Sequence, residues 1–321
     1  MSDEKVLMTG ATGFIGGELA QILESKDYEV HTVDRYVTGR YTLSPNKGTI
    51  RHYANFADYP TIKNIVREVK PDYVIHLGAL SAVSFSYDHY IEVGEVNYLG
   101  TINLAEACYR EAPNLKQFIF AGTSEEYGMN LKDTKGVLSE TSDLQPNSPY
   151  AVAKVACDLY LKYMGMAYSF PYTIMRPFNT YGRKDNAHFF IERAITQMLK
   201  QGEVRLGDPS AIRDWLYVED HINGYLKALG NSKAIGQAIQ LCTGKGYTTK
   251  ETAELIAKLT GFKGKITWNA TQHRPLDAKV LIGSAEKAKK LLNWEPKYSL
   301  EEGLKKTIDI WKDKKRGLSE A

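Results

Sequence analysis

Tyr150 and Lys154, in the run Tyr150-Ala151-Val152-Ala153-Lys154, are the residues whose spacing speaks most directly of chemistry. A separation of four places a phenol and an ammonium on one face of a helix, one turn apart. A positive charge nearby favours the phenolate and lowers the tyrosine pKa. A phenol so placed can take a hydroxyl proton while the carbon bearing that hydroxyl gives up hydride. Taken alone, the pair reads more readily as a core tyrosine beside a surface lysine.

A second cluster is the glycine turn Gly10-Ala11-Thr12-Gly13-Phe14-Ile15-Gly16, which follows the apolar run Val6-Leu7-Met8-Thr9. Gly10 suits a tight strand-to-helix turn. Gly13 lets the backbone approach a pyrophosphate, and Gly16 lets the helix lie close to the sheet. The first helical amides and the positive dipole end then face the phosphates. The spacing is GxxGxxG rather than the commoner GxGxxG. Asp34 follows Gly13 by about 20 residues at the end of the next strand, where a carboxylate accepts the ribose hydroxyls of NAD. Arg35 and Arg40 lie just beyond and are placed to pair with the 2′-phosphate of NADP instead. The carboxylate favours NAD because it would repel that phosphate.

These groups need a scaffold, and the sequence pattern supplies one. Short β-branched runs alternate with longer helical patterns, as a parallel sheet covered by helices requires. Strands are expected near residues 5–9, 30–34, 49–53, 73–77, 117–121 and 173–176, and helices over 15–25, 60–69, 90–110 and 149–165. The last begins Asn147-Ser148-Pro149, a capping residue before proline at the first helical position. The expected fold class is α/β, a Rossmann-type doubly wound parallel sheet over residues 1–176. Residues 177–321 form mainly a smaller substrate-binding lobe, with helices near 189–200, 218–229 and 248–259 and strands near 238–241 and 265–268. Some of its segments, 224–229 among them, return to the first domain.

The 321 residues are 43% hydrophobic and 25% charged, and 41 Lys plus Arg stand against 38 Asp plus Glu. A balance of +3 gives no reason to propose a nucleic-acid or membrane partner. The basic cluster Lys312, Lys314, Lys315 and Arg316 reads as an exposed helix end. No signal-like or membrane-spanning apolar run is evident, so a cytoplasmic location is the default expectation. Cys108, Cys157 and Cys242 show no CxxC pairing; buried reduced thiols are expected for the first two, and no metal. His76 ends an apolar strand and reads as a satisfied core histidine.

Gly10–Gly16, Asp34, Leu77-Gly78-Ala79 and Tyr150 through Lys154 resemble the extended short-chain dehydrogenases/reductases. More narrowly, they resemble the NAD-dependent epimerase/dehydratase family that acts on nucleotide sugars. Asn97-Tyr98-Leu99-Gly100-Thr101, Arg176-Pro177-Phe178-Asn179-Thr180-Tyr181-Gly182, Arg213-Asp214-Trp215 and Arg274-Pro275 extend the likeness nearly end to end. The resemblance implies that Tyr150 and Lys154 are the catalytic pair, with Thr123 completing a triad. It implies an NAD site at Gly10, Thr12, Gly13, Phe14, Ile15, Gly16, Asp34, Arg35, Leu77, Ala79 and Pro177, shared with Tyr150 and Lys154. Asn55, Phe56 and Asp58 fall where the family cradles adenine, with Asn55 standing where an aspartate is usual. Ser81, Thr123, Asn179, Arg213 and Arg274 would hold the nucleotide-diphosphate sugar, guanidinium forks being suited to phosphate. A homodimer through helices 90–110 and 149–165 is also implied, with Leu159, Tyr160 and Tyr163 at the contact.

The segment Thr123-Ser124-Glu125-Glu126-Tyr127-Gly128 bears on the reaction. Simple 4-epimerases of the family lack an acid here, so Glu125 points beyond reversible oxidation. A ketone at C4 acidifies the C5 proton, and a carboxylate can remove it as water leaves C6. The Thr-Ser-Glu order resembles GDP-mannose 4,6-dehydratases; UDP-glucuronate decarboxylases share it. The dTDP-glucose enzymes carry an aspartate where Ser124 stands, which leaves Ser124 or a water to protonate the leaving hydroxyl. A 4-epimerase and a decarboxylase stay open beside the 4,6-dehydratase. A non-catalytic NAD-binding regulator would have no need of Tyr150, Lys154 and Thr123 together.

Overall fold

The computed structural model describes residues 4–35, 48–129, 136–270 and 276–319. The first half runs β1 (Lys5–Thr9), α1 (Phe14–Glu24), β2 (Glu29–Asp34), β3 (Ile50–Tyr53), α2 (Tyr59–Val69), β4 (Tyr73–His76), α3 (Val83–Asp88), α4 (Tyr90–Val93), α5 (Gly100–Glu111), β5 (Gln117–Ala121), α6 (Pro149–Tyr168) and β6 (Tyr172–Pro177). The second half adds β7 (Asn179–Tyr181), α7 (Phe190–Leu199), β8 (Val204–Arg205), β9 (Ile212–Tyr217), α8 (Val218–Ala228), β10 (Gln237–Leu241), β11 (Gly246–Thr248), α9 (Thr249–Thr260), β12 (Ile266–Thr267), β13 (Val280–Leu281), α10 (Glu286–Leu292) and α11 (Leu300–Ser319).

Seven strands form one parallel sheet in the order β10-β6-β5-β4-β1-β2-β3, with Thr9 opposite both Val33 and His76. Strands such as Tyr73-Val74-Ile75-His76 are buried along their whole length, because helices cover both faces. Leu19 and Leu23 of α1 join Ile222 and Tyr225 of α8 in the core on one face. Ile62 and Val66 of α2 meet Leu104 of α5 and Leu161 of α6 on the other. The order in which strands are added to the sheet reverses between β1 and β4, the switch point at which such sheets open a crevice. The expected Rossmann-type architecture is therefore present.

Gly10 and Gly16 explain how β1 turns into α1 so abruptly. Gly10 has φ +72°, and a Cβ there would lie 2.8 Å from the Gly78 nitrogen on the neighbouring strand end. A Cβ on Gly16 would lie 2.2 Å from the Gly10 carbonyl oxygen. The helix can begin against the sheet only without one.

The stretch expected as a single helix over 90–110 is instead α4, a π-helical turn at Gly94–Leu99, and α5. Asn97 accounts for the widened turn. Its amide brackets Leu80, donating to the carbonyl at 3.1 Å and accepting from the N–H at 2.8 Å. Its own carbonyl accepts from Thr101 at 2.6 Å and from the Cys157 thiol at 3.2 Å. The start of α6 follows expectation: Ser148 Oγ accepts from the Ala151 amide at 3.1 Å, with proline in the first turn.

In the second half, β9 is the centre of a small sheet, flanked by β11 and β13 and paired also with β7. The strand expected near 238–241 is β10, which pairs in parallel with β6 at the edge of the large sheet. No helix among the described residues is long and apolar enough to cross a membrane.

Candidate active site

A cavity of about 1150 Å³ opens along the carboxyl edge of the large sheet. Its wall begins at Gly10, Thr12, Gly13, Phe14, Ile15 and Gly16, and passes Leu77, Ala79 and Ser81. It continues through Thr123, Ser124, Glu125, Tyr150 and Lys154 to Pro177, Asn179 and Arg213. Residues from both halves of the sequence, chosen for chemistry, thus share one cleft.

The glycine turn presents a helix start with no side-chain cap on Gly13, so the first amides of α1 are left for a ligand. The turn fits the diphosphate of a dinucleotide. Asp34 is buried at the end of β2, and its carboxylate accepts from the Thr12 amide at 3.3 Å and hydroxyl at 3.1 Å. Burial raises its pKa against those bonds. Arg35 forms an ion pair with Glu92 at 3.1 Å. Asn55 and Phe56 stand outside the cavity wall: Asn55 accepts from the Ala57 amide, and the Phe56 ring is buried beneath Gly78. Arg40 and Arg274 lie outside the described residues.

The loop after β5 is built as a helix start. Thr123 caps a short 3₁₀ turn at Ser124–Glu126, its hydroxyl accepting from the Glu125 amide at 3.2 Å. Glu126 returns the bond, accepting from the Thr123 amide at 2.9 Å. This reciprocal capping box fixes the backbone of Thr123, Ser124 and Glu125. Ser124 and Glu125 are both buried, yet both border the cavity. Glu125 Oε2 has no hydrogen-bond partner, which is costly for a buried carboxylate unless a ligand meets it.

Tyr150 and Lys154 project from the first turns of α6. The Lys154 ammonium donates to the Ala121 carbonyl at 2.7 Å and sits 6.0 Å from the Tyr150 ring centroid. The Thr123 hydroxyl is near enough to the Tyr150 phenol to lower its pKa. The expected lowering of the tyrosine pKa is corrected by the structure. Burial raises it, the charges of Glu126 and Glu125 add to the rise, and the Thr123 hydroxyl opposes it. The lysine is turned toward a carbonyl, and its own pKa is lowered by burial. Desolvation therefore outweighs the neighbouring charge.

Beneath the loop lies a sealed charge cluster. Arg176 of β6, fully buried, pairs with Glu126 at 3.0 Å and with Asp158 of α6, and donates to the Tyr127 hydroxyl at 2.8 Å. Burial pushes Glu126 up to about 8, against the pull of Arg176. On the substrate side, Asn179 Oδ1 is buried without a partner. Arg213 pairs with Asp277 at 3.0 Å while still lining the cavity. His76 bonds Thr9 and Thr101 and is a satisfied core residue. All three cysteines are buried and free.

Sequence reasoning passed over Glu126, Asp158, His221 and Tyr225. Glu126 carried a legible signal, since Thr123 and Glu126 have the spacing of a capping box. His221 and Tyr225, four apart on α8, also line the cavity.

Known proteins are similar to this chain over nearly its whole length. A family model described as GDP-mannose 4,6 dehydratase matches residues 7–307. GDP-mannose 4,6-dehydratase of Vibrio cholerae is 28% identical over 93% of this chain and 91% of its own length. The structure of UDP-glucose 4-epimerase from Thermotoga maritima with UDP-glucose superposes with a TM-score of 0.89 at 30% identity, covering 97% of this chain and 99% of that one. UDP-glucose 4-epimerase of Thermus thermophilus in complex with NAD gives 0.87 at 28% identity, covering 96% and 99%.

Proposed function

The chain belongs to the family described as GDP-mannose 4,6 dehydratase, among NAD-dependent nucleotide-sugar dehydratases and epimerases, and from that membership we propose that it is a nucleotide-sugar 4,6-dehydratase. The observation that carries this reading is Glu125, a buried carboxylate on the cavity wall with one oxygen unpartnered, next to Thr123 and close to Tyr150. An epimerase has no use for a base at this place; an elimination does.

Gly10, Gly13 and the first amides of α1 would hold the diphosphate of NAD, Asp34 its adenosine ribose, and Tyr150 and Lys154 its nicotinamide end. NAD bound there supplies reversible oxidation at C4 and reduction at C6, and its cationic ring opposes the rise in the Tyr150 pKa. Tyr150 takes the C4 hydroxyl proton, with the Thr123 hydroxyl fixing its orientation. Lys154 anchors the helix face through Ala121 and keeps a positive charge nearby. Glu125 removes the C5 proton of the 4-keto sugar, and Ser124 or a water protonates the leaving C6 hydroxyl. Asn179, Arg213, Ser81 and Arg274 hold the diphosphate sugar. The π-helical turn and the helices α5 and α6 leave Tyr98, Leu99, Tyr109, Leu159, Tyr163 and Met166 exposed, a surface suited to a second copy of the chain.

Similarity to 4-epimerases supports a second reading, simple inversion at C4. Incubation with GDP-, UDP-, dTDP- and CDP-hexoses separates the two. The dehydratase reading expects a product lighter by one water; inversion without mass change would establish the epimerase.

A further inference from the structure

Two polar groups on the cavity wall have no place in the scheme above. His221 and Tyr225 lie one turn apart on α8, their rings 5.3 Å apart. Both border the cavity, and both are buried, at 5% and 0% exposure. His221 Nε2 and the Tyr225 hydroxyl each lack a hydrogen-bond partner. Orphaned buried polar atoms are rare and ask for a ligand.

The bonding around His221 fixes what kind of ligand. The Thr180 hydroxyl has one proton, which it donates to the Phe178 carbonyl at 3.0 Å. The same oxygen lies 2.8 Å from His221 Nδ1; with its proton on the Phe178 carbonyl it accepts there, an arrangement in which Nδ1 carries the histidine proton. Burial and the charge of Arg183 drive the histidine pKa down to about 3, so the ring is neutral. In that arrangement Nε2 is an unpartnered acceptor on a residue that borders the cavity. Tyr225 beside it offers an O–H donor, kept protonated by burial. Tyr225 lies within electrostatic reach of Tyr150, which borders the same cavity. An acceptor next to a donor is the complement of a primary amide.

Resting on the reading that the chain binds NAD, we propose that His221 and Tyr225 are the carboxamide-binding pair of the nicotinamide. His221 Nε2 accepts from the amide N–H, and the Tyr225 hydroxyl donates to the amide oxygen. The pair would hold the nicotinamide end of the cofactor in the cavity that Tyr150 also borders; it takes no part in proton transfer. Thr180 sets the histidine tautomer and so acts through His221.

Calorimetric titration of the purified full chain with three ligands tests this. NAD carries the amide, nicotinic acid adenine dinucleotide carries a carboxylate in its place, and ADP-ribose lacks the nicotinamide altogether. The unsubstituted protein should bind NAD roughly tenfold or more tighter than the carboxylate analogue, because a carboxylate cannot donate to Nε2. His221→Leu should weaken NAD roughly tenfold, shrink that discrimination, and leave ADP-ribose unchanged. His221→Gln, which keeps an acceptor at similar reach, should recover part of the loss. Tyr225→Phe keeps the packed ring and serves if the histidine variants fold poorly; it should weaken NAD several-fold and spare ADP-ribose. Equal losses for NAD and ADP-ribose, or an unchanged NAD affinity, would overturn the assignment to the carboxamide alone. Failure of the unsubstituted protein to bind either ligand would overturn the NAD reading together with it.

Discussion

Gly16→Ala is the sharpest test of how the cofactor turn is built. An alanine Cβ would sit 2.2 Å from the Gly10 carbonyl oxygen, 2.8 Å from its carbon and 2.9 Å from the Ala11 Cα. Ordinary contact begins at 3.4 Å, so the first turn of α1 must retreat by about an ångström from the end of β1. The opposing atoms are all backbone, and no side chain can swing aside. Overpacking of this kind costs roughly 1–3 kcal/mol, and the upper part of that range applies here. Alanine regains about 1 kcal/mol of helix propensity, which leaves a net loss of about 1–2 kcal/mol. For a chain of this size the melting temperature should fall by roughly 1–3 °C. The displaced amides should also weaken NAD binding by about tenfold, since charge-assisted bonds depend on geometry. Thermal and urea unfolding, with NAD titration on the folded protein, read both effects. Gly94→Ala is the internal control: nothing lies within 4 Å of a Cβ there, and it should be neutral or stabilising. If Gly16→Ala matched that control in unfolding midpoint and NAD affinity, the close-approach explanation would be wrong.

Glu125→Gln should slow water elimination by roughly 10²–10⁴ while NADH still accumulates from C4 oxidation; its absorbance after mixing with the accepted nucleotide hexose checks this, and unimpaired elimination would remove the residue's role. The same change lowers the Tyr150 pKa, because the Glu125 charge helps raise it, so the alkaline limb of the oxidation step should move to lower pH. Glu126 has a folded pKa of about 8, above its unfolded 4.5. Its protonation therefore favours the fold fully below about 4.5, and that advantage is lost as pH climbs through 8. Glu126→Gln should thus compare better with the parent at about pH 9 than at about pH 5 in urea unfolding; a pH-independent difference would count against it. Leu159→Asp, on the exposed face of α6, should yield monomer by sedimentation velocity if a second copy covers that face, whereas a parent that sediments as monomer removes the dimer.

The elements of the large sheet were legible because each is long enough for its periodicity to show and each is bounded by a turn. The glycine turn, Asp34, Thr123, Tyr150 and Lys154 were readable as types at fixed spacings. Strands β7, β11 and β13 were not, since two or three residues carry no alternation, and β9 was noticed only as the motif Arg213-Asp214-Trp215. The π-helical turn escaped because it depends on Asn97 reaching Leu80, a contact between segments. The tyrosine pKa was misjudged for a related reason: spacing put Lys154 near Tyr150 but did not say that the ammonium would turn to Ala121. His221 and Tyr225 stayed hidden because their meaning lies in bonds they lack, which no pattern of residue types reports.

The edge strand β10 has a consequence for how the molecule comes into being. It lies next to β6 in the sheet, yet in the chain it arrives only after β7, α7, β8, β9 and α8 have been made. A ribosome must therefore release residues up to Leu241 before β6 can be shielded on that side. Until then the nascent chain exposes an apolar, unpaired strand edge, the kind that recruits other chains. Synthesis at high concentration or temperature should punish this interval more than the finished enzyme, so yield during expression would depend on chaperone supply even where the purified protein is stable.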